Sequence, residues 1–183
     1  MRVLGVILFF VGVQAFAQSN RCEWLNQISI ENPPEKLTEK IDYILVGKAQ
    51  RRLIVFSHGV PQKDYRIHLG FTPEGPKRFE GDGKTPEGLY AVAFRKSPSD
   101  YTKSLMLDYP RKKDIEYARR FRKNAGKEIA IHGFPRNPKE LAETLPKIEQ
   151  GLDWTQGCMA LTNTEIEEIF PLVAAKTPVE ICP

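Results

Sequence analysis

Two residues in this chain have the side chains that covalent catalysis needs. Cys158 lies in Gly151-Leu152-Asp153-Trp154-Thr155-Gln156-Gly157-Cys158-Met159-Ala160-Leu161-Thr162, after a glycine and before an apolar run. His132 ends the stretch Ile129-Ala130-Ile131-His132-Gly133. A thiol attacks carbonyl carbon as its thiolate, and an imidazole can take the proton. A lone thiol and an imidazole on separate segments, each beside a glycine, therefore suggest a cysteine nucleophile. A plainer reading stands beside it: Cys158 as a buried structural thiol and His132 as a strand-end histidine. The chain has no His-Glu-x-x-His or Cys-x-x-Cys pattern, so neither a metal site nor a cofactor is expected.

These residues need elements to hold them. Residues 41–46 and 52–57 are two β-rich runs around Gly47-Lys48-Ala49-Gln50, a hairpin pattern. Residues 64–69 alternate and predict a third strand. Further strands are expected over 89–95, 104–109, 128–132 and 179–182. The last but one of these delivers His132 into a turn. Helices are expected over 114–124, ending at Gly126, over 138–150, ending at Gly151, and over 162–175. The last opens with the capping box Thr162-Asn163-Thr164-Glu165, and Pro171 is placed to shorten it. The expected class is α+β, predominantly β, in one domain.

The 183 residues carry a formal net charge of +4, which does not argue for nucleic-acid binding. Met1-Arg2, an apolar run over residues 3–13 and Ala15-Phe16-Ala17 form the pattern of a cleaved secretory signal over residues 1–17. The apolar run is short for a membrane span. Residues 18–40 read as a lead-in and residues 41–183 as the catalytic domain. Three cysteines, Cys22, Cys158 and Cys182, enter an oxidising compartment on this reading, and an odd number leaves one unpaired. Either Cys22 and Cys182, near the two ends of the mature chain, pair and leave Cys158 free, or both stay as buried thiols.

Residues 70–90 are dense in glycine and proline and would pass for a surface loop. Within them, however, Gly81-Asp82-Gly83-Lys84-Thr85-Pro86-Glu87-Gly88-Leu89-Tyr90 resembles the signature loop of the L,D-transpeptidase catalytic domain family. His132-Gly133 and Thr155-Gln156-Gly157-Cys158 resemble that family's histidine and cysteine segments, in the same order. Leu107-Asp108-Tyr109-Pro110, followed by Asp114, is similar to another family segment. The resemblance runs from about Asp42 to Ile181.

The resemblance implies an L,D-transpeptidase-like β-sandwich with peripheral helices, located in the periplasm or cell envelope. It implies action on peptidoglycan stem peptides in cell-wall biogenesis. Cys158 matches the nucleophile and His132 the base. The Gly133 carbonyl matches the group that orients the imidazole. Backbone N–H groups of Gly157 and Cys158 match the oxyanion donors, with Thr155, Gln156 and Trp154 around the substrate. An imidazolium beside the thiol would lower its pKa. The acyl acceptor is an amine of another stem peptide or of a wall-attached protein, or it is water. Two departures bear on that choice. Gln156 stands where many members have histidine, and Ala160 where many have arginine. The sequence around Trp154 resembles a subgroup that includes members hydrolysing envelope links, so an L,D-carboxypeptidase or hydrolase is the alternative expectation.

Other residues have readings of their own. His58 and His68 read as structural or surface residues. Trp154 reads as either packing anchor or substrate platform. The basic run Arg111-Lys112-Lys113 with Arg119-Arg120-Phe121-Arg122-Lys123 reads as a solvated helix face or as an attractor of wall carboxylates or anionic lipid. A non-catalytic wall-binding module and a thiol redox sensor are the rival functions.

Overall fold

The structure, a computed structural model, describes residues 21–183. The expected signal over residues 1–17 lies outside the described residues. The strands are β1 (Tyr43–Gly47), β2 (Arg52–Ser57), β3 (Val60–Arg66), β4 (Gly88–Ser99), β5 (Thr102–Leu107), β6 (Ala130–His132), β7 (Met159–Ala160) and β8 (Pro178–Cys182). The helices are α1 (Lys112–Arg120), α2 (Pro138–Glu149) and α3 (Asn163–Ile169). The expected α+β class, predominantly β, is the one observed.

The strands form one mixed sheet in the order β3-β2-β1-β8-β4-β5-β6-β7. Pairs β1–β8 and β6–β7 are parallel, and the others are antiparallel. The two faces of the expected sandwich are therefore one curled sheet. Its bend lies in β4, where Gly88–Ala91 pair with β8 and the residues from Val92 onward pair with β5. A register shift at Val92/Phe94 marks the bend, as bulges do in strands that change direction. Curling brings the chain beyond β3 against β7, where His68 and Ala160 exchange backbone hydrogen bonds of 3.0 and 2.8 Å.

The apolar runs in β1 and β2 are continuous because both faces are covered. Ile44, Val46, Leu53 and Val55 enter the main core with Leu105, Ile131, Met159 and Leu161 from the other half of the sheet. Leu45, Ile54 and Phe56 face the opposite way and meet Leu25 and Cys182. Leu25 belongs to a 3₁₀ turn, Arg21–Gln27. Cys22 and Cys182 are joined in a disulfide, and Cys158 is the free cysteine of the described residues. The lead-in thus supplies an outer layer, and full burial of a leucine such as Leu25 contributes about 1.5–3 kcal/mol.

Several boundaries differ from expectation. The third strand begins at Val60 and stops at Arg66, because residues 67–70 leave β2 to bond the cysteine segment. Helix α1 starts earlier, at Lys112, where the Asp114 carboxylate accepts from the Arg111 N–H at 2.9 Å. Helix α3 ends at Ile169, ahead of Pro171. Its expected capping box is present: Glu165 N–H donates to Thr162 Oγ1 and Thr162 N–H to Glu165 Oε2. The two-residue β7 carried no sequence signal.

Candidate active site

Parallel pairing of β6 and β7 sets the geometry. Ile131 pairs with Met159 and His132 with Ala160. Alternation along the strands then puts His132 and Cys158 on one face of the sheet, two positions apart. Both line a cleft of about 370 Å³, with Tyr101, Lys96, Lys127, Glu128 and Gln156 among its other walls.

The imidazole is held on three sides. Nδ1 donates to the Gly133 carbonyl at 2.6 Å, which leaves Nε2 as the basic nitrogen. The Tyr101 ring lies against it with centroids 4.4 Å apart, and Trp154 meets it edge-on at 6.0 Å. Tyr101 is itself fixed, since its hydroxyl donates to Glu140 of α2 at 2.8 Å. Burial and that bond push the Tyr101 phenol up to about 12. Gly133 N–H donates back to the Tyr101 carbonyl at 3.1 Å.

The Cys158 thiol sits in a desolvated setting. Burial pushes it up to about 11, although the Ala130 N–H and the Lys77 charge favour the thiolate. Its Sγ donates to the Glu128 carbonyl at 3.4 Å. Burial likewise pushes His132 down to about 4, opposed by its bond to Gly133. The expected imidazolium beside a thiolate is therefore not the resting state. Both groups are neutral, because desolvation penalises each charge.

The loop before Cys158 is a backbone scaffold. Thr155 N–H donates to the Leu69 carbonyl and Phe71 N–H to the Thr155 carbonyl, at 3.0 and 2.9 Å. Thr155 Oγ1 accepts from Gly157 N–H at 3.1 Å and donates to the Cys158 carbonyl at 2.7 Å. Gly157 N–H, expected at the oxyanion, is thus engaged inside the loop, and the Thr155 hydroxyl is taken up by the loop's own backbone. Gly157 has φ +133°, and a Cβ there would lie 2.5 Å from the Lys84 carbonyl oxygen. Only glycine lets residues 81–90 pack so closely beneath the cysteine. Trp154 packs between His68 and His132, its Nε1 buried without a hydrogen-bond partner, so it is an anchor here. Gln156 is exposed on the cleft rim.

Asp82 organises the glycine-rich loop. Its carboxylate accepts from Lys77 Nζ at 2.9 Å and from the N–H groups of Arg78, Phe79 and Lys84. Burial alone would raise this carboxyl, but those four donors hold it below the usual range. Lys48 Nζ, in the β1–β2 turn, anchors the same loop through the Gly75 and Thr85 carbonyls and Glu87. Arg51 ties that turn to Asp153 of the cysteine segment at 2.9 Å. Asp153 also accepts from Leu69 N–H. The family model for YkuD, the L,D-transpeptidase catalytic domain, matches residues 41–181.

The chain belongs to the L,D-transpeptidase catalytic domain family. YafK of Escherichia coli (strain K12) is 33% identical over 138 residues, covering 72% of this chain and 46% of that protein. The chain therefore spans about half the length of the curated relatives it matches. The helical cell shape determining protein Pgp2 of Campylobacter jejuni superposes with a TM-score of 0.58 at 25% identity, over 88% of this chain and 54% of Pgp2. Bd1075 of Bdellovibrio bacteriovorus gives 0.51 at 26% identity, over 84% and 51% of the two chains. Among the described residues, no helix is long and apolar enough to cross a membrane.

Sequence reasoning missed Lys48, Lys77, Arg51 and Tyr101. Lysines are rarely buried, so nothing in a linear reading assigns Lys48 or Lys77 to the interior. Asp82 between two turn glycines, Gly81 and Gly83, was the one available signal that a cation or several N–H groups would be needed nearby.

Proposed function

We propose that this domain is an exported enzyme of the cell envelope that acts on peptidoglycan stem peptides through a Cys158 acyl-enzyme. The observation that carries this reading is the cleft shared by Cys158 and His132, with the imidazole fixed by Gly133 so that Nε2 is the base. The neutral pair sets the order of events. Substrate enters, His132 Nε2 takes the Cys158 proton, and Sγ bonds to the carbonyl carbon at the L-centre of the diamino acid. The Cys158 N–H is the remaining backbone donor for the oxyanion. The C–N bond then breaks, the D-residue amine leaves with the proton from His132, and a thioester remains. In transpeptidation an acceptor amine attacks the thioester, and its proton returns through His132 to the thiol.

Water as acceptor is the second reading, favoured by Gln156 on the cleft rim in place of an imidazole. It makes the protein an L,D-carboxypeptidase or a hydrolase of a wall link, including one to a wall-attached protein. The likeness to Pgp2 extends either reading to cell-wall remodelling and cell shape.

The test is to incubate the protein with disaccharide-tetrapeptide and with cross-linked or protein-bearing sacculi, using Cys158→Ala as control. Mass spectrometry reads the products. Dimers indicate an amine acceptor, tripeptide alone indicates water, and released protein indicates cleavage of a wall link. Identical inactivity of the wild type and Cys158→Ala on every substrate, with no thioester mass on Cys158, overturns the enzyme reading.

A further inference from the structure

The cysteine cleft has a neighbour that shares one of its walls. A second cleft of about 390 Å³ lies beyond the segment that leads into β6 and is lined by Arg119, Lys123, Lys127 and Glu80. Lys127 lines both clefts, and its neighbour Glu128 supplies the carbonyl that holds the Cys158 sulfur. Arg119, Lys123 and Lys127 are all exposed, and among the described residues none of them forms an ion pair. The Lys123 ammonium rests 4.5 Å from the centre of the Phe79 ring, which fixes one charge at the groove wall. Three cations against one carboxylate make the groove electropositive.

We infer that this groove binds the carboxylates of an acidic peptide whose neighbouring segment occupies the Cys158 cleft, so that α1 and the chain after it are part of the substrate site. The inference rests on the proposed function and deepens it: the acidic peptide is a stem peptide. The basic run in the sequence therefore divides by geometry. Arg119, Lys123 and Lys127 face the groove, while Arg120 and Arg122 carry the same charge but do not line it. A bilayer is the less fitting occupant, because the three charges line a concave surface that shares Lys127 with the cysteine cleft.

The experiment measures binding without turnover, using full-length Cys158→Ala protein and a fluorescently labelled stem tetrapeptide. The same peptide with its carboxylates converted to amides is the comparison. Amidation is expected to weaken binding about tenfold, the sum of three exposed ion pairs. In Arg119→Gln/Lys123→Gln/Lys127→Gln the acid and amide peptides should bind equally. Lys112→Gln/Arg120→Gln/Arg122→Gln, with the same reduction in net charge at positions that do not line the groove, should keep the tenfold preference. Raised ionic strength should erase the preference. Equal loss in both variants means net charge alone is responsible and overturns the groove. So does an unchanged preference in the triple variant. If the triple variant instead loses sedimentation with phosphatidylglycerol vesicles and keeps peptide binding, the surface serves a membrane and the inference is wrong. Thioester formation on Cys158 in the wild type is read separately by mass, so failure of the groove and failure of the acyl-enzyme reading are told apart.

Discussion

The inner and outer walls of the Cys158 cleft are built on different principles. The inner wall is buried and over-determined. His132 is held by a hydrogen bond and two rings, and in the loops behind the wall Thr155 serves both Gly157 and Cys158 and Asp82 satisfies four donors at once. The outer wall is solvated. Lys96, Asp100, Lys127 and Gln156 are exposed, and the Lys96–Asp100 pair is a loose surface contact of 3.6 Å. A fixed inner wall suits bond making, where small displacements are costly. A solvated outer wall can change its side chains at little cost to folding. Gln156, one of the chain's departures from the family pattern, lies on that tolerant side.

The largest test of this contrast is at His132. His132→Gln should lower kcat by about a thousandfold, because it removes the base while the fold is kept. The pH profile sharpens the point. The base must be neutral, and burial takes His132 from its ordinary 6.5 down to about 4. The acidic limb of kcat/KM should therefore fall near pH 4, and a limb near 6.5 would mean that the cleft does not desolvate the imidazole.

Asp82→Asn comes next. It leaves the Lys77 cation buried and unpaired, and should cost about 3 kcal/mol by denaturant titration. The wild type should also lose stability in acid from two groups. His132 is held below its unfolded value, so its neutral form contributes fully above pH 6.5 and the contribution is lost towards about 4. Asp82 is held below its ordinary 3.8, so its contribution is complete above that pH and disappears only at lower pH. Stability that stays flat down to pH 4 would break the account of a buried, neutral His132.

Thr155→Val should have a smaller effect, about 1–2 kcal/mol, since it strands the Gly157 N–H and the Cys158 carbonyl. The smallest effects belong to the outer wall. Gln156→His and Lys96→Gln should each change stability by less than about 0.5 kcal/mol. Gln156→His should alter the ratio of transfer to hydrolysis, measured as dimer against tripeptide. A large loss of stability in either variant would erase the distinction between the walls.

Legibility in the sequence follows the same division. Local periodicity and chemistry exposed the β1–β2 hairpin, the Thr162–Glu165 cap and the Pro138 helix start, because nearby residues decide them. Cys158, His132 and the glycine-rich loop were legible as an ordered set of motifs. What the sequence hid depends on long-range contacts. β7 is a strand only because β6 and residue 68 flank it. Lys77 and Lys48 are buried only because the loop folds over them, and Tyr101 meets His132 only after β4 and β5 pair. The neutral resting state of the thiol and imidazole was also hidden, since desolvation belongs to the folded cleft and not to either segment.

The place of β8 in the sheet has a consequence for how the molecule is made. Residues 178–182 lie between β1 and β4, and so join the two halves of the sheet. A ribosome or a translocation channel delivers them after both neighbours. Until then β1 and β4 each present a bare edge, and the half-sheets meet only through the bridges of residues 68 and 70 to residues 160 and 155. The β1–β8 and β8–β4 ladders can therefore form only late, and a chain stalled before residue 178 would expose two unpaired strand edges, the kind of surface that chaperones and proteases take up.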